Sequence, residues 1–252
     1  QDIANTMWAY ATVGHSAPKL FDALSLTAMD ILDTFNSQEM SSTMWSYATV
    51  RHSAPELFNA FSDVAVGQLS TFSSQSIANT MLACAKARHS SPKLFHAISY
   101  TAIEKLDTFN SQEIANTLWA YAKVEHLAPK LFDAVADEAI EKLNTFNSQN
   151  IANTMWAYAK VGHSAPKLFD AVSLTAMEKL DTFNSQEITN TVWAYATVGH
   201  PSRKLFDAIS HKAMEKLHGF KSQNITNTVW AYAKAGHSSP KLFDAISHKA
   251  IE

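Results

Sequence analysis

The sequence predicts an all-α protein, a right-handed-type α-solenoid of about seven 37-residue two-helix repeats. The segment QDIANTMW at Gln1 returns as QEMSSTMW at Gln38, QSIANTML at Gln75 and QEIANTLW at Gln112. It returns again at Gln149, Gln186 and Gln223, each start 37 residues after the last without insertion or deletion. Six complete units use 222 residues and the seventh supplies 30. Six glycines and seven prolines are few for 252 residues, as expected of a chain spent in helices joined by short turns. The expected organisation is one helical-repeat array over residues 1–252, a fragment of a longer protein.

The unit divides into columns 1 to 37. Columns 1 to 13, QDIANTMWAYATV in repeat 1, carry apolar residues at helical spacing and form helix A. Ile3, Ala4, Met7, Trp8, Tyr10 and Ala11 are expected on its core side. Columns 2, 5, 6, 9, 12 and 13 are expected to face outward. The run Asn110 to Glu113 marks a helix start, in which Asn caps and Glu reaches back. Columns 14 to 16, Gly-His-Ser or close variants, make a tight turn. The serine of column 16 is expected to cap helix B, whose first turn tolerates the proline of column 18. Helix B runs through PKLFDALSLTAMDILDTF, with Leu20, Phe21, Leu24, Ala28, Leu32 and Phe35 on its buried face. A lone hairpin cannot cover two such faces, so neighbouring repeats must stack. In repeat 3, Leu82 and Cys84 replace the Trp and Tyr of columns 8 and 10, and Phe61 in repeat 2 is the compensating bulk.

Composition narrows the function classes. With 46% hydrophobic and 17% charged residues the chain is globular, and its single cysteine excludes an internal disulfide. No run of about 18 apolar residues exists, so no membrane insertion is expected. Neither a Gly-rich phosphate loop nor an HExxH motif occurs, and a dyad such as His15 with Asp22 would not need a copy in most repeats. The reading is that the chain is not an enzyme, with no catalytic residues, no metal site, no cofactor and no small-molecule substrate.

The blocks SQEIANTLWAYAKVEH (Ser111 to His126) and SQNIANTMWAYAKVGH (Ser148 to His163) resemble the octotricopeptide and heptatricopeptide repeat proteins. Those are organellar RNA-binding α-solenoids, related in design to pentatricopeptide-repeat and FAST-kinase-like proteins. The resemblance covers the whole chain, and the 37-residue period is nearer the heptatricopeptide form. Repeat 2 departs from the pattern at Ser41 and Ser42, and repeat 3 by losing Trp and Tyr. The resemblance implies a modular single-stranded RNA-binding scaffold in a mitochondrion or chloroplast, acting in RNA processing, stability or translation. A protein–protein scaffold or a structural subunit of a ribonucleoprotein is the alternative, with protein partners in a larger complex.

Two columns of helix A suit RNA chemically. Column 5 is Asn in six of seven repeats (Asn5, Asn79, Asn116, Asn153, Asn190 and Asn227), and Asn can donate to and accept from a base edge. Its other reading is a ladder tying adjacent A helices together. Column 12 supplies Lys86, Lys123, Lys160 and Lys234, cations for a phosphate backbone or ordinary solvated lysines. Trp8, Trp45, Trp119, Trp156, Trp193 and Trp230 of column 8 are expected in the inter-repeat core. The invariant histidines of column 15 are expected to hydrogen-bond carbonyls at the end of helix A. The formal charge of −3 opposes nucleic-acid binding, but it is uneven: residues 1–148 carry −6, residues 149–252 carry +3, and repeat 3 carries +2.

Overall fold

Polar residues head the A helices of the computed structural model, which describes residues 1–200 and 202–251. Fourteen α-helices occur among the described residues, with no strand. The A helices are α1 (Asp2–Thr12), α3 (Ser37–Val50), α5 (Ser74–Ala87), α7 (Ser111–Lys123), α9 (Ser148–Val161), α11 (Ser185–Val198) and α13 (Ser222–Ala235). The B helices are α2 (Pro18–Asp30), α4 (Pro55–Gln68), α6 (Pro92–Glu104), α8 (Pro129–Glu141), α10 (Pro166–Glu178), α12 (Arg203–Glu215) and α14 (Pro240–Ile251). The α-solenoid of 37-residue helix pairs is therefore present as the sequence predicts. The chain falls into two compact units, residues 1–135 and 136–252.

The expected capping box forms. In α7, Asn110 Oδ1 accepts from the Glu113 N–H and Glu113 Oε2 accepts from the Asn110 N–H, both at 2.9 Å. Asn36 with Glu39 and Asn184 with Glu187 repeat it, and Asn147 with Asn150 shows that an amide serves as well. Helix B starts differently from expectation. Its N-cap is column 17 (Ala17, Ala54, Ser91, Ala165, Ser202), and no side chain bonds there. Proline at the first helical position has no N–H to satisfy, so the serine of column 16 is not needed as a cap; residue 201, which holds column 16 in repeat 6, lies outside the described residues. Helix B also ends earlier than its pattern suggests, closing in a 3₁₀ turn such as Leu106–Thr108.

Within each unit the A helices lie side by side, α1-α3-α5-α7 and α9-α11-α13, and pack on one another far more extensively than the B helices do. Small residues permit this approach. Ala78, Ala83 and Ala85 in α5 and Ala115, Ala120 and Ala122 in α7 are all buried, so backbones meet with little between them. Leu94 and Phe95, Leu131 and Phe132, and Leu168 and Phe169 fill the layer between A and B. Phe61 is fully buried, its ring edge-on to Phe35 at 5.2 Å.

Polar side chains clip each repeat to the next. The column 31 lysines reach back to the preceding 3₁₀ turn: Lys105 Nζ donates to the Ser70 and Phe72 carbonyls at 2.8 and 2.6 Å. Lys179 and Lys216 do the same to Asn144 and Phe146, and to Asp181 and Phe183. In return Ser37 Oγ donates to the Thr71 carbonyl of the following repeat at 3.0 Å.

Candidate nucleic-acid interface

An α-helix turns about 100° per residue, so columns 1, 5, 8 and 12 fall within an arc of about 60°. That stripe is the side of helix A left open by its neighbours. Lys86, Lys123, Lys160 and Lys234 are exposed; Asn5 is exposed, and Asn79, Asn116, Asn153, Asn190 and Asn227 are half-buried beside them. The tryptophans belong to this stripe and not to the core. Trp8 and Trp230 are 52% and 44% exposed, and Trp45, Trp119, Trp156 and Trp193 are half-buried. Column 8 stands opposite Tyr10 on the helix and next to columns 5 and 12, which is why the expected burial fails. Trp193 and Trp230 come within 6.5 Å, centroid to centroid, their planes 30° apart.

Columns 6 and 9 correct the expectation in the other direction. Thr43, Thr80, Thr117, Thr154, Thr191 and Thr228 are buried, as are Ala83, Ala120, Ala157, Ala194 and Ala231. A solenoid helix has neighbours on both flanks as well as beneath, so its buried arc is wider than half the wheel. Column 2 does not face out freely either, since Glu39, Glu113 and Glu187 are held in capping boxes. Their carboxylates compensate helix N-termini, which reduces the acid presented beside the stripe.

The stripe has local order. Gln186 Nε2 donates to Asn190 Oδ1 at 2.8 Å, and Asn224 Nδ2 of the next repeat donates to Gln186 Oε1 at 3.1 Å. In repeats 1 and 2, Asn5 and Trp8 face Gln38, Glu39 and Ser42 across a groove of about 370 Å³.

The histidines of column 15 bond carbonyls at the end of helix A as expected, and do so through the backbone. Their backbone N–H groups satisfy the helix carbonyl, as His52 N to the Tyr47 carbonyl at 3.0 Å, while column 14 takes positive φ. The imidazoles are thereby released to reach the preceding repeat. His52 bonds Asp22, His200 bonds Asp170 and His237 bonds Asp207, each at 2.9 Å. Where column 22 is not Asp the pairing changes. His89 meets Ser62 Oγ at 3.2 Å, and His126 has His96 nearby. Desolvation by burial holds both His89 and His126 below the usual imidazole range, with His96 adding to the effect at His126. No group of three or more His, Cys, Asp or Glu suited to a metal occurs among the described residues.

A second concavity lies in unit 1, at the C-terminal ends of α3, α5 and α7. It encloses about 830 Å³ and is lined by Arg51, His52, Lys86, Arg88, His89, Trp119 and Lys123 among others. Sequence reasoning singled out its lysines but not Arg51 and Arg88. Their signal was present: column 14 is Gly in repeats 1, 5, 6 and 7 and Arg in repeats 2 and 3.

A helix-pair array with one open polar and aromatic stripe per repeat is what a comparison must explain. No curated protein matches the chain. The family model described as RNA-editing substrate-binding complex 6 protein (RESC6) matches residues 1–164 and 130–252, two overlapping stretches that together span it. The chain therefore belongs to the family of RNA-editing substrate-binding complex 6 proteins.

Proposed function

We propose that the chain is a single-stranded RNA-binding scaffold of an organellar RNA-processing complex, with RNA lying along the open stripes of helix A in each unit. The observation that carries this reading is the content of the stripe. Asn at column 5, Trp at column 8 and Lys at column 12 project together in repeats 4, 5 and 7, each offering base-edge bonding, a stacking surface and a phosphate contact. The family's description, a substrate-binding complex for RNA editing, supports an RNA ligand. No reaction is assigned; the scaffold holds and positions its RNA. Organellar residence in a mitochondrion or chloroplast follows from the resemblance of the repeats.

A protein-scaffold role has its own support on helix B. Leu26, Tyr100 and Leu174, all of column 26, are 62%, 48% and 61% exposed. Apolar side chains repeated on one outer column suit a protein partner, and a subunit of a ribonucleoprotein would use both layers.

The test is a titration of unstructured RNA at two salt concentrations, with Lys160→Glu/Lys234→Glu as the comparison. Each lost phosphate contact lowers the slope of log K against log salt by about 0.7. Binding absent at low salt, or indifferent to the charge reversal, would remove RNA from this surface.

A further inference from the structure

The cleft at the ends of α3, α5 and α7 differs from the rest of the array in ways the repeat does not require. Its lining holds four fixed cations, Arg51, Lys86, Arg88 and Lys123, with two imidazoles, one indole and no carboxylate. Asp22 bonds His52 from outside the lining. Unit 2 supplies an internal control. The corresponding cleft between repeats 5 and 6 is lined by Gly162, His163, Thr197, Gly199 and His200, holds no fixed cation, and encloses about 370 Å³. A generic repeat groove would look like that one.

Two of the cations stand where they are conformationally costly. Column 14 is the left-handed position that ends helix A, and Gly14, Gly162, Gly199 and Gly236 fill it at φ 62–68°. Arg51, Arg88 and Glu125 adopt φ 57°, 56° and 58° instead, and of the three only the arginines line the cleft. A side chain in this region costs about 1–3 kcal/mol, and such residues gather at functional sites. Lysine at column 12 beside a helix C-terminus is accounted for by the helix dipole, whereas two arginines held in a costly backbone conformation on the wall of one cleft are not.

We propose that this cleft binds the terminal phosphomonoester of a nucleotide, with the base against Trp119. A phosphomonoester carries about −1.5 to −2 charges at pH 7, where an internal phosphodiester carries one, so a single terminal group makes fuller use of these cations than a single internal one. Guanidinium groups bond such oxygens in pairs. The volume lies within the range of about 300–1,000 Å³ of small-ligand sites and exceeds what phosphate alone would fill. The nucleotide is either free or the end of an RNA strand. The proposal rests on the RNA reading only for the second of these.

The experiment titrates the chain separately with AMP, adenosine and inorganic phosphate by calorimetry. AMP is expected to bind one to one and at least about tenfold more tightly than either fragment. Arg51→Gly/Arg88→Gly is expected to weaken AMP by about tenfold or more, while melting no earlier than the parent because glycine suits the left-handed turn. AMP binding no tighter than adenosine or phosphate, or unchanged by the variant, overturns the proposal. Short RNA strands ending in 5′-phosphate, 3′-phosphate or hydroxyl then separate the sources. A preference for one phosphorylated end that the variant abolishes assigns the site to strand ends; AMP binding without that preference assigns it to free nucleotides. Failure of the hydroxyl-ended strand to bind at all overturns the reading of the helix A stripes and leaves the AMP result standing.

Discussion

The phenol of Tyr195 donates a hydrogen bond to the main-chain carbonyl of Phe169, 2.6 Å away across the seam between repeats 5 and 6. The two rings meet edge to face at 5.0 Å or less in this seam and at 5.0 Å in those of Tyr47 with Phe21 and Tyr121 with Phe95. Tyr47, Tyr121 and Tyr232 make the same bond to Phe21, Phe95 and Phe206 at 2.7 Å. Desolvation holds the Tyr195 phenol well above its ordinary pKa, so it stays a donor at any pH at which the chain is folded.

Removing that bond while keeping the ring isolates its contribution. Tyr195→Phe is expected to lower unfolding free energy by about 1 kcal/mol, the net value of a buried neutral hydrogen bond. Denaturant unfolding measures it. A loss above about 3 kcal/mol would mean that the ring packing depends on the hydroxyl.

The lysine clasp is the second seam device. Lys179 Nζ lies 2.7 Å from the Asn144 carbonyl and 2.6 Å from that of Phe146, and the side chain is half-buried. Lys179→Met keeps the stem and deletes both charge-assisted bonds, so a loss of about 1.5 kcal/mol is expected. Repeat 2 has Gln68 in this column, too short to span the same gap. Gln68→Lys should therefore raise the unfolding midpoint, which thermal denaturation would register.

The period, both helices and the capping box were legible because each is a local property that recurs along the chain. Asn110 and Glu113 meet wherever a helix starts, whatever packs on it. The clasps were not legible, because Lys179 with Phe146 or His200 with Asp170 join residues about one repeat apart, and a spacing within one repeat does not show them. The Trp column was misplaced for a different reason. Tryptophan is apolar, but its helical angle sets it beside columns 5 and 12, and an open aromatic stripe is what a core assignment by composition misses. Of the candidate site, the asparagines and lysines were found from their columns, whereas Arg51 and Arg88 needed the cleft they line to set them apart from Glu125 in the same left-handed position.

The repeat 2–3 and 3–4 seams are expected to be the acid-sensitive ones, since burial holds His89 and His126 alike below the usual imidazole range. Burial first, and His96 second, hold His126 below its ordinary pKa of 6.5. The folded state therefore binds its proton more weakly than the unfolded state does. Stability from this group is fully present above pH 6.5 and is lost as pH falls through that value toward the lower folded pKa. His126→Gln should flatten the decline of the unfolding midpoint between pH 6.5 and 5, and an unchanged acid limb would show that His126 is not its source.

Trp230 and Tyr232 separate the open stripe from the core on one helix. Trp230 is 44% exposed in α13, whereas Tyr232 is fully buried and bonded to the Phe206 carbonyl. Were column 8 part of the core, Trp230→Ala would cost about 3–5 kcal/mol, the same range as truncating Tyr232. With its indole open and tilted against Trp193 at 6.5 Å, the expected loss is about 1 kcal/mol, while Tyr232→Ala still costs about 3–5 kcal/mol. The binding arm runs the other way. A base stacked on an aromatic ring contributes about 1–3 kcal/mol, so Trp230→Ala should weaken RNA binding by about tenfold while leaving the fold nearly intact. Equal stability losses in the two variants would return column 8 to the core and leave the stripe without its stacking surface.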